Sequence, residues 1–259
     1  MIYNIKRRKF IELFGYSCCG LVLPSCSTVP ITKRRQLSIY PEASINNSAA
    51  KAYETFKSKN KLITSSKQLS TIKEIGNRIE YAVSKFFLKE NGKDPTSSFQ
   101  WDYILVDNDK VKNAWCMPGG KIAVYTGILK ITQNDNALAA VMGHEIAHAV
   151  AKHSVERASQ ALTVNLGTQV ADIFLGGAIN RTRQTIGRNS GMDIFQLGIF
   201  NPFGRKQEVE ADYLGLIFSS LAGYDIREAS ELWKRMAESN KGKEPPQFMS
   251  THPSSKNRI

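Results

Sequence analysis

From Val141 to Ala149 the chain reads Val-Met-Gly-His-Glu-Ile-Ala-His-Ala, an H-E-x-x-H pattern inside an apolar, alanine-rich run with helical periodicity. On a helix, His144 and His148 stand four residues apart and share one face, one turn above the other. Two imidazoles placed in that way take two corners of a Zn²⁺ tetrahedron. Glu145 lies about 100° round the helix from His144, borders the same face and reaches a water on the metal. A catalytic zinc needs a third protein ligand and keeps its fourth position for water. The rest of the chain is therefore read for what it adds to these three residues.

The chain has only four histidines. His153 follows His148 by five residues, which on a straight helix puts it about 140° from His148 and about 180° from His144. It cannot share their metal from there and reads as a residue behind a ligand or at the helix end. Glu208-Val-Glu-Ala-Asp212 fits better. Glu208 and Asp212 share a helix face, and Glu210 points about 200° away from Glu208. Glu208 can ligate zinc while Asp212 accepts a hydrogen bond from the outer nitrogen of a ligand histidine, fixing the ring and raising its basicity. An E-x-x-x-D pair alone also describes an acidic solvated face; the upstream motif is what raises it above that.

The remaining elements give an α+β chain, mostly helical. Helices are expected over 48–59, from Ser66 to a stop at Asn91-Gly92-Lys93-Asp94-Pro95, from Asn134 or Asp135 through to about Ser159, over Glu208–Ala222 closed by Gly223, and from a capping-box-like start at Asp225 to about Ser239. Strands are expected over Phe99–Val106 and Lys121–Thr126, with Met117-Pro118-Gly119-Gly120 as a turn. An edge strand close before the histidine helix is either a template to which an extended peptide adds or only a cover for the core. Residues 160–205 mix apolar and glycine-bearing polar runs and read as helix plus a mobile segment able to act as a lid. Pro245-Pro246 ends the helical region.

The formal charge is +12 over 259 residues. No basic stretch is interleaved with aromatics as a nucleic-acid groove requires, so no nucleic-acid partner is expected. Lys6-Arg7-Arg8-Lys9, the short apolar run from Phe10 to Leu23, and Leu23-Pro24-Ser25-Cys26 read as an export signal ending in a lipobox. Arg7-Arg8 also resembles a twin-arginine signal. Residues 1–25 are then a signal peptide, Cys26 is the lipidation site, 26–60 are a tether and N-terminal helix, and 61–259 are the metallopeptidase domain; an uncleaved anchor is the alternative. Either way the catalytic part is expected in the periplasm, held at a membrane. No C-x-x-C occurs among the four cysteines, which excludes a cysteine zinc ribbon.

Asn113–Gly127, Met142–His148, Glu208–Asp212 with Gly215, and Ser250-Thr-His252-Pro together resemble the HtpX-like, CAAX-prenyl-protease family of zinc peptidases. The nearest branch in pattern is that of bacterial periplasmic lipoproteins similar to a mitochondrial inner-membrane stress protease. The resemblance covers about residues 27–259. It implies a gluzincin fold with a small β-sheet beside the active-site helix, one Zn²⁺ per chain, and endopeptidase activity on unfolded or misfolded envelope proteins. It also implies His144, His148 and Glu208 as ligands and Glu145 as the base. Many integral relatives have several membrane spans and several lipoprotein relatives continue into another helix or helical repeats; here no span is expected beyond the leader, and the chain stops at Ile259. His252 is expected either to steady the oxyanion or to act as a reversible fourth ligand that masks the metal. An assembly or chaperone lipoprotein with a structural or masked zinc is the rival reading.

Overall fold

The computed structural model of the protein describes residues 26–161, 163, 203–239, 248 and 252. The expected signal peptide, most of the expected lid segment, Pro245-Pro246 and the neighbours of His252 in Ser250–Pro253 lie outside these residues. At the N-terminal end, β1 (Cys26–Thr28) and β2 (Arg35–Leu37) pair antiparallel. Helix α1 (Glu42–Lys59) follows, starting six residues before the expected helix. Beyond the two-residue β3 (Leu62–Ile63), α2 runs over Lys67–Asn91. Its buried stripe is Leu69, Ile72, Ile75, Ile79 and Val83, the apolar positions that recur at three or four in the sequence. It ends on Phe87 in place of Phe86, which continues that period and is only partly buried. Ser66 caps it through Oγ to the N–H of Leu69 at 3.1 Å, and Gly92 ends it with φ at 65°.

Three further strands complete a four-stranded mixed sheet ordered β3-β4-β6-β5. They are β4 (Asp102–Val106), β5 (Ala114–Met117) and β6 (Lys121–Tyr125). β4 and β6 run parallel, with Ile104 opposite Ala123; β5 returns antiparallel, with Cys116 opposite Ile122. The expected strand at 121–126 is thus interior, and the edge beside the histidine helix is β5. Its four residues, Ala-Trp-Cys-Met, are too few to show a period, and Met117 belongs to both this strand and the expected turn.

After the short α3 (Thr126–Thr132) comes α4 (Asp135–Val150). Asn134 is its N-cap, accepting from the Ala137 N–H at 2.9 Å. Every residue from Ala137 to Val150 is buried. A helix apolar all round belongs at the centre of a domain, and α4 packs against β5, α2, α3 and the two helices that follow, α5 (Arg205–Leu221) and α6 (Glu228–Glu238). Two glycines set the spacing of α4 and α5. A Cβ on Gly143 would stand 2.7 Å from the carbonyl oxygen of Gly215, and one on Gly215 would stand 2.7 Å from the His144 nitrogen. With no side chain on either, α5 comes close enough for its acids to reach the histidines.

Two expected boundaries move. α4 stops at Val150, and the backbone turns at Ala151 and Lys152, where Lys152 takes φ 56°, before helix resumes over 153–161. α6 starts at Glu228 after Arg227, with no side-chain cap. Asp225 serves the turn before it instead, accepting from the Arg227 N–H at 3.0 Å.

Candidate metal centre

α4 presents His144 and His148 on one face, as the four-residue spacing requires, and their Nε2 atoms stand 3.1 Å apart. α5 brings Glu208 to the same point. Its Oε1 is 3.4 Å from His148 Nε2 and its Oε2 is 3.7 Å from His144 Nε2. His252 completes the group with Nδ1, 3.2 Å from His144 Nε2 and 3.1 Å from Glu208 Oε1. One ligand atom from each of these four buried residues falls within 4.8 Å of all the others.

The arrangement behind the rings decides which nitrogens face inward. Asp212 Oδ1 lies 2.9 Å from His144 Nδ1. A carboxylate only accepts, so the His144 proton sits on Nδ1 and the Nε2 lone pair faces the cluster. His153 Nε2 donates to Glu210 at 2.9 Å, which leaves its Nδ1 to accept from His148 Nδ1 at 2.8 Å. His148 therefore also turns an Nε2 lone pair inward. Two lone pairs and a carboxylate converging at 3.1–3.7 Å repel unless a cation lies among them. In a tetrahedron with metal–nitrogen bonds of about 2.05 Å, the edges are about 3.3 Å. The donor set fits zinc on both counts.

Electrostatics point the same way. Burial alone would raise Glu208, but the adjacent imidazoles of His148, His252 and His144 outweigh it and hold the carboxyl well below its ordinary range. Burial pushes His148 well below the usual imidazole value, favouring the neutral ligand form. At His144 burial is outweighed by the bond to Asp212 and the charges of Asp212, Glu208 and Glu145, so it is raised. Glu145 is raised, chiefly by burial, despite a backbone hydrogen bond from Cys116 in β5. Its Oε1 is 3.3 Å from His252 Nε2. Cys116 itself is buried, and burial pushes its thiol far up, so it is an inert neighbour.

All six expected site residues outside the leader (His144, Glu145, His148, Glu208, Asp212 and His252) meet here. Cys26, the expected lipidation site, is an exposed thiol at the start of β1, away from them. Sequence reasoning missed several others. Phe203 stacks on His148 with centroids 3.8 Å apart, and the Arg157 guanidinium lies 4.6 Å from the centroid of the Phe203 ring. Phe248 packs at 4.7 Å against His252. Glu210, the member of E-x-E expected to face away, reaches the site indirectly through His153. No local spacing marks these contacts.

A mixed α+β domain whose central buried helix carries H-E-x-x-H beside an acid from a second helix is that of a zinc metallopeptidase. The chain belongs to Peptidase family M48, whose model matches residues 74–259, and is a zinc metalloendopeptidase by class. It is 30% identical to the mitochondrial metalloendopeptidase OMA1 of Schizosaccharomyces pombe, over 99% of this chain and 72% of that one. It is 28% identical to the human mitochondrial metalloendopeptidase OMA1, over 99% of this chain and 50% of that one. A putative beta-barrel assembly-enhancing protease of Vibrio cholerae is 30% identical over 58% of this chain and 32% of its own length. The chain thus spans about half or less of the length of several relatives it matches.

Proposed function

We propose that the protein is a membrane-tethered endopeptidase that hydrolyses peptide bonds of misfolded or damaged envelope proteins, with one zinc held by His144, His148 and Glu208. The observation that carries this reading is the convergence of those buried donors within 4.8 Å, beside Glu145. When bound, zinc supplies a Lewis acid that lowers the pKa of a water and polarises a peptide carbonyl. Glu145 takes the proton of the attacking water and returns it to the leaving amine; burial, by raising its pKa, brings it nearer neutrality and suits it to both transfers. Asp212 holds His144 in the ligand tautomer. β5, the edge strand beside α4, aligns an extended peptide through backbone hydrogen bonds, and the bond from Cys116 ties that strand to the base.

The substrate class is supported by the name of the Vibrio relative, a beta-barrel assembly-enhancing protease. Tethering rests on the leader and Cys26, since no described helix is long and apolar enough to cross a membrane. The test is cleavage of unfolded casein. Activity is expected to stop with a chelator and return with zinc, and Glu145→Gln should lower it about 10²–10⁴-fold while zinc is retained. Undiminished cleavage by that variant would sink the assignment of the base.

One observation favours a masked site, the form of the rival assembly reading. His252 directs Nδ1 at the three ligands and Nε2 at Glu145, filling the place a water and a carbonyl would need. We assign it as a reversible fourth ligand that must swing out before substrate enters.

A further inference from the structure

The charged groups behind His148 take no part in the chemistry above, yet they form a buried, fully matched chain that begins far away in sequence. Glu210 accepts from His153 Nε2 at 2.9 Å, from Arg34 Nε at 2.7 Å, and from the hydroxyl of Thr32. The other arm of Arg34 closes a two-pronged pair with Glu156, at 2.7 and 2.9 Å. Glu156 also accepts from Gln207 Nε2 at 2.8 Å, one residue before Glu208. The side chains of Glu156 and Glu210 are 7% and 5% exposed, and Arg34 is the guanidinium that bridges them. It sits at the turn of the β1–β2 hairpin, where the Val29 N–H donates to the Arg34 carbonyl at 2.8 Å and fully buried Val29 anchors the loop in the core.

We infer that Arg34 is a positioning residue of the metal centre, supplied by the N-terminal hairpin: it fixes Glu210, Glu210 fixes His153, and His153 fixes the ring of His148 with Nε2 toward the other ligands. This rests on the zinc reading of the site. The planar fork is needed because each of its edges serves a different carboxylate, which a lysine cannot do with one ammonium. Without it Glu210 would be buried beside Glu156 with no guanidinium between them, and would turn toward solvent. His153 would then lose the acceptor that sets its tautomer, and His148 the acceptor behind its Nδ1. The hairpin starts at Cys26, so whatever holds Cys26 at a membrane holds an element that shapes the site.

The experiment is zinc affinity of the full chain, measured by competition with a chromophoric chelator, together with circular dichroism and thermal unfolding. Arg34→Met is expected to weaken zinc binding about 10–100-fold, the effect of removing an outer partner of a ligand. Arg34→Lys should fall between it and the wild type. In the double variant Arg34→Met with His153→Gln, affinity should match the weaker single variant, because both break one relay. A folded Arg34→Met with affinity within twofold of wild type overturns the inference, as do effects of the two substitutions that multiply. If Arg34→Met does not fold, Arg34→Lys decides, and native affinity in that variant overturns the inference. A wild type that binds no zinc overturns both this and the proposed function; one that binds zinc equally with and without Arg34 overturns the relay alone.

Discussion

Each histidine of the cluster is controlled by an acid or a second ring that it touches through the nitrogen facing away from the centre. Asp212 does this for His144 at 2.9 Å, and Asp212→Asn keeps an acceptor while removing the charge. That variant is expected to bind zinc about 10-fold more weakly in chelator competition, with unfolding little changed; wild-type affinity would show that Asp212 only decorates the surface of α5. His252 gives a prediction of the opposite sign. If it masks the metal, His252→Ala opens a position, and basal casein cleavage should rise while zinc content stays near one per chain. A drop in cleavage at full zinc content would return His252 to the oxyanion role. The positions most legible in the sequence are those set by one helix: His144, Glu145 and His148 by the H-E-x-x-H spacing, Glu208 and Asp212 by i and i+4. His153 was not legible in this way. The angle of about 140° holds only on a straight helix, and nothing in Ala151-Lys152 announces that Lys152 takes φ 56° and turns His153 back toward His148.

At the scale of elements, the crossing of α4 and α5 is what makes two separate motifs one site. Gly215→Ala puts a methyl 2.7–2.9 Å from the backbone of Gly143 and His144, which no rotamer relieves. The helices must part, at a cost of about 1–3 kcal/mol, and zinc affinity should fall with stability in chemical denaturation and chelator titration. Retained stability would mean that the contact is not as tight as the geometry requires. The helices themselves were readable because caps and period agree, as at Ser66 and Gly92 for α2. β5 was not, because four residues carry no period, and a strand becomes an edge only through its partners. The contact of Arg34 with Glu156 and Glu210 spans 122 and 176 residues, a separation that no local pattern encodes.

For the whole molecule, the N-terminal arm, the histidine helix and α5 are joined by one buried charge network, and its response to pH follows from Glu210. Burial would raise this carboxyl, but hydrogen bonds from His153, Thr32 and Arg34 outweigh it and bring its pKa down to about 2, against an ordinary value of 4.5. A depressed folded pKa stabilises the fold above the ordinary value, and that stability is lost as pH falls through 4.5 toward about 2. The gap in unfolding free energy between wild type and Glu210→Gln should therefore be steady near neutral pH and shrink over that window. An equal gap at pH 3 and pH 7 would contradict it. Zinc adds a second coupling: a ligand bound only by the folded state stabilises it by about 4 kcal/mol at 1,000 times its Kd, so chelation should lower the melting temperature, and zinc should restore it.

The central claim, that this cluster is a zinc site built where α4 crosses α5, is tested most directly by anomalous scattering at the zinc edge from crystals of the full chain. One peak is predicted, about 2.0–2.2 Å from His144 Nε2, His148 Nε2 and a Glu208 oxygen, with His252 Nδ1 at the fourth corner in the masked state. A zinc-replete crystal with no peak there, or with its peak at Cys116 or elsewhere, would contradict the account.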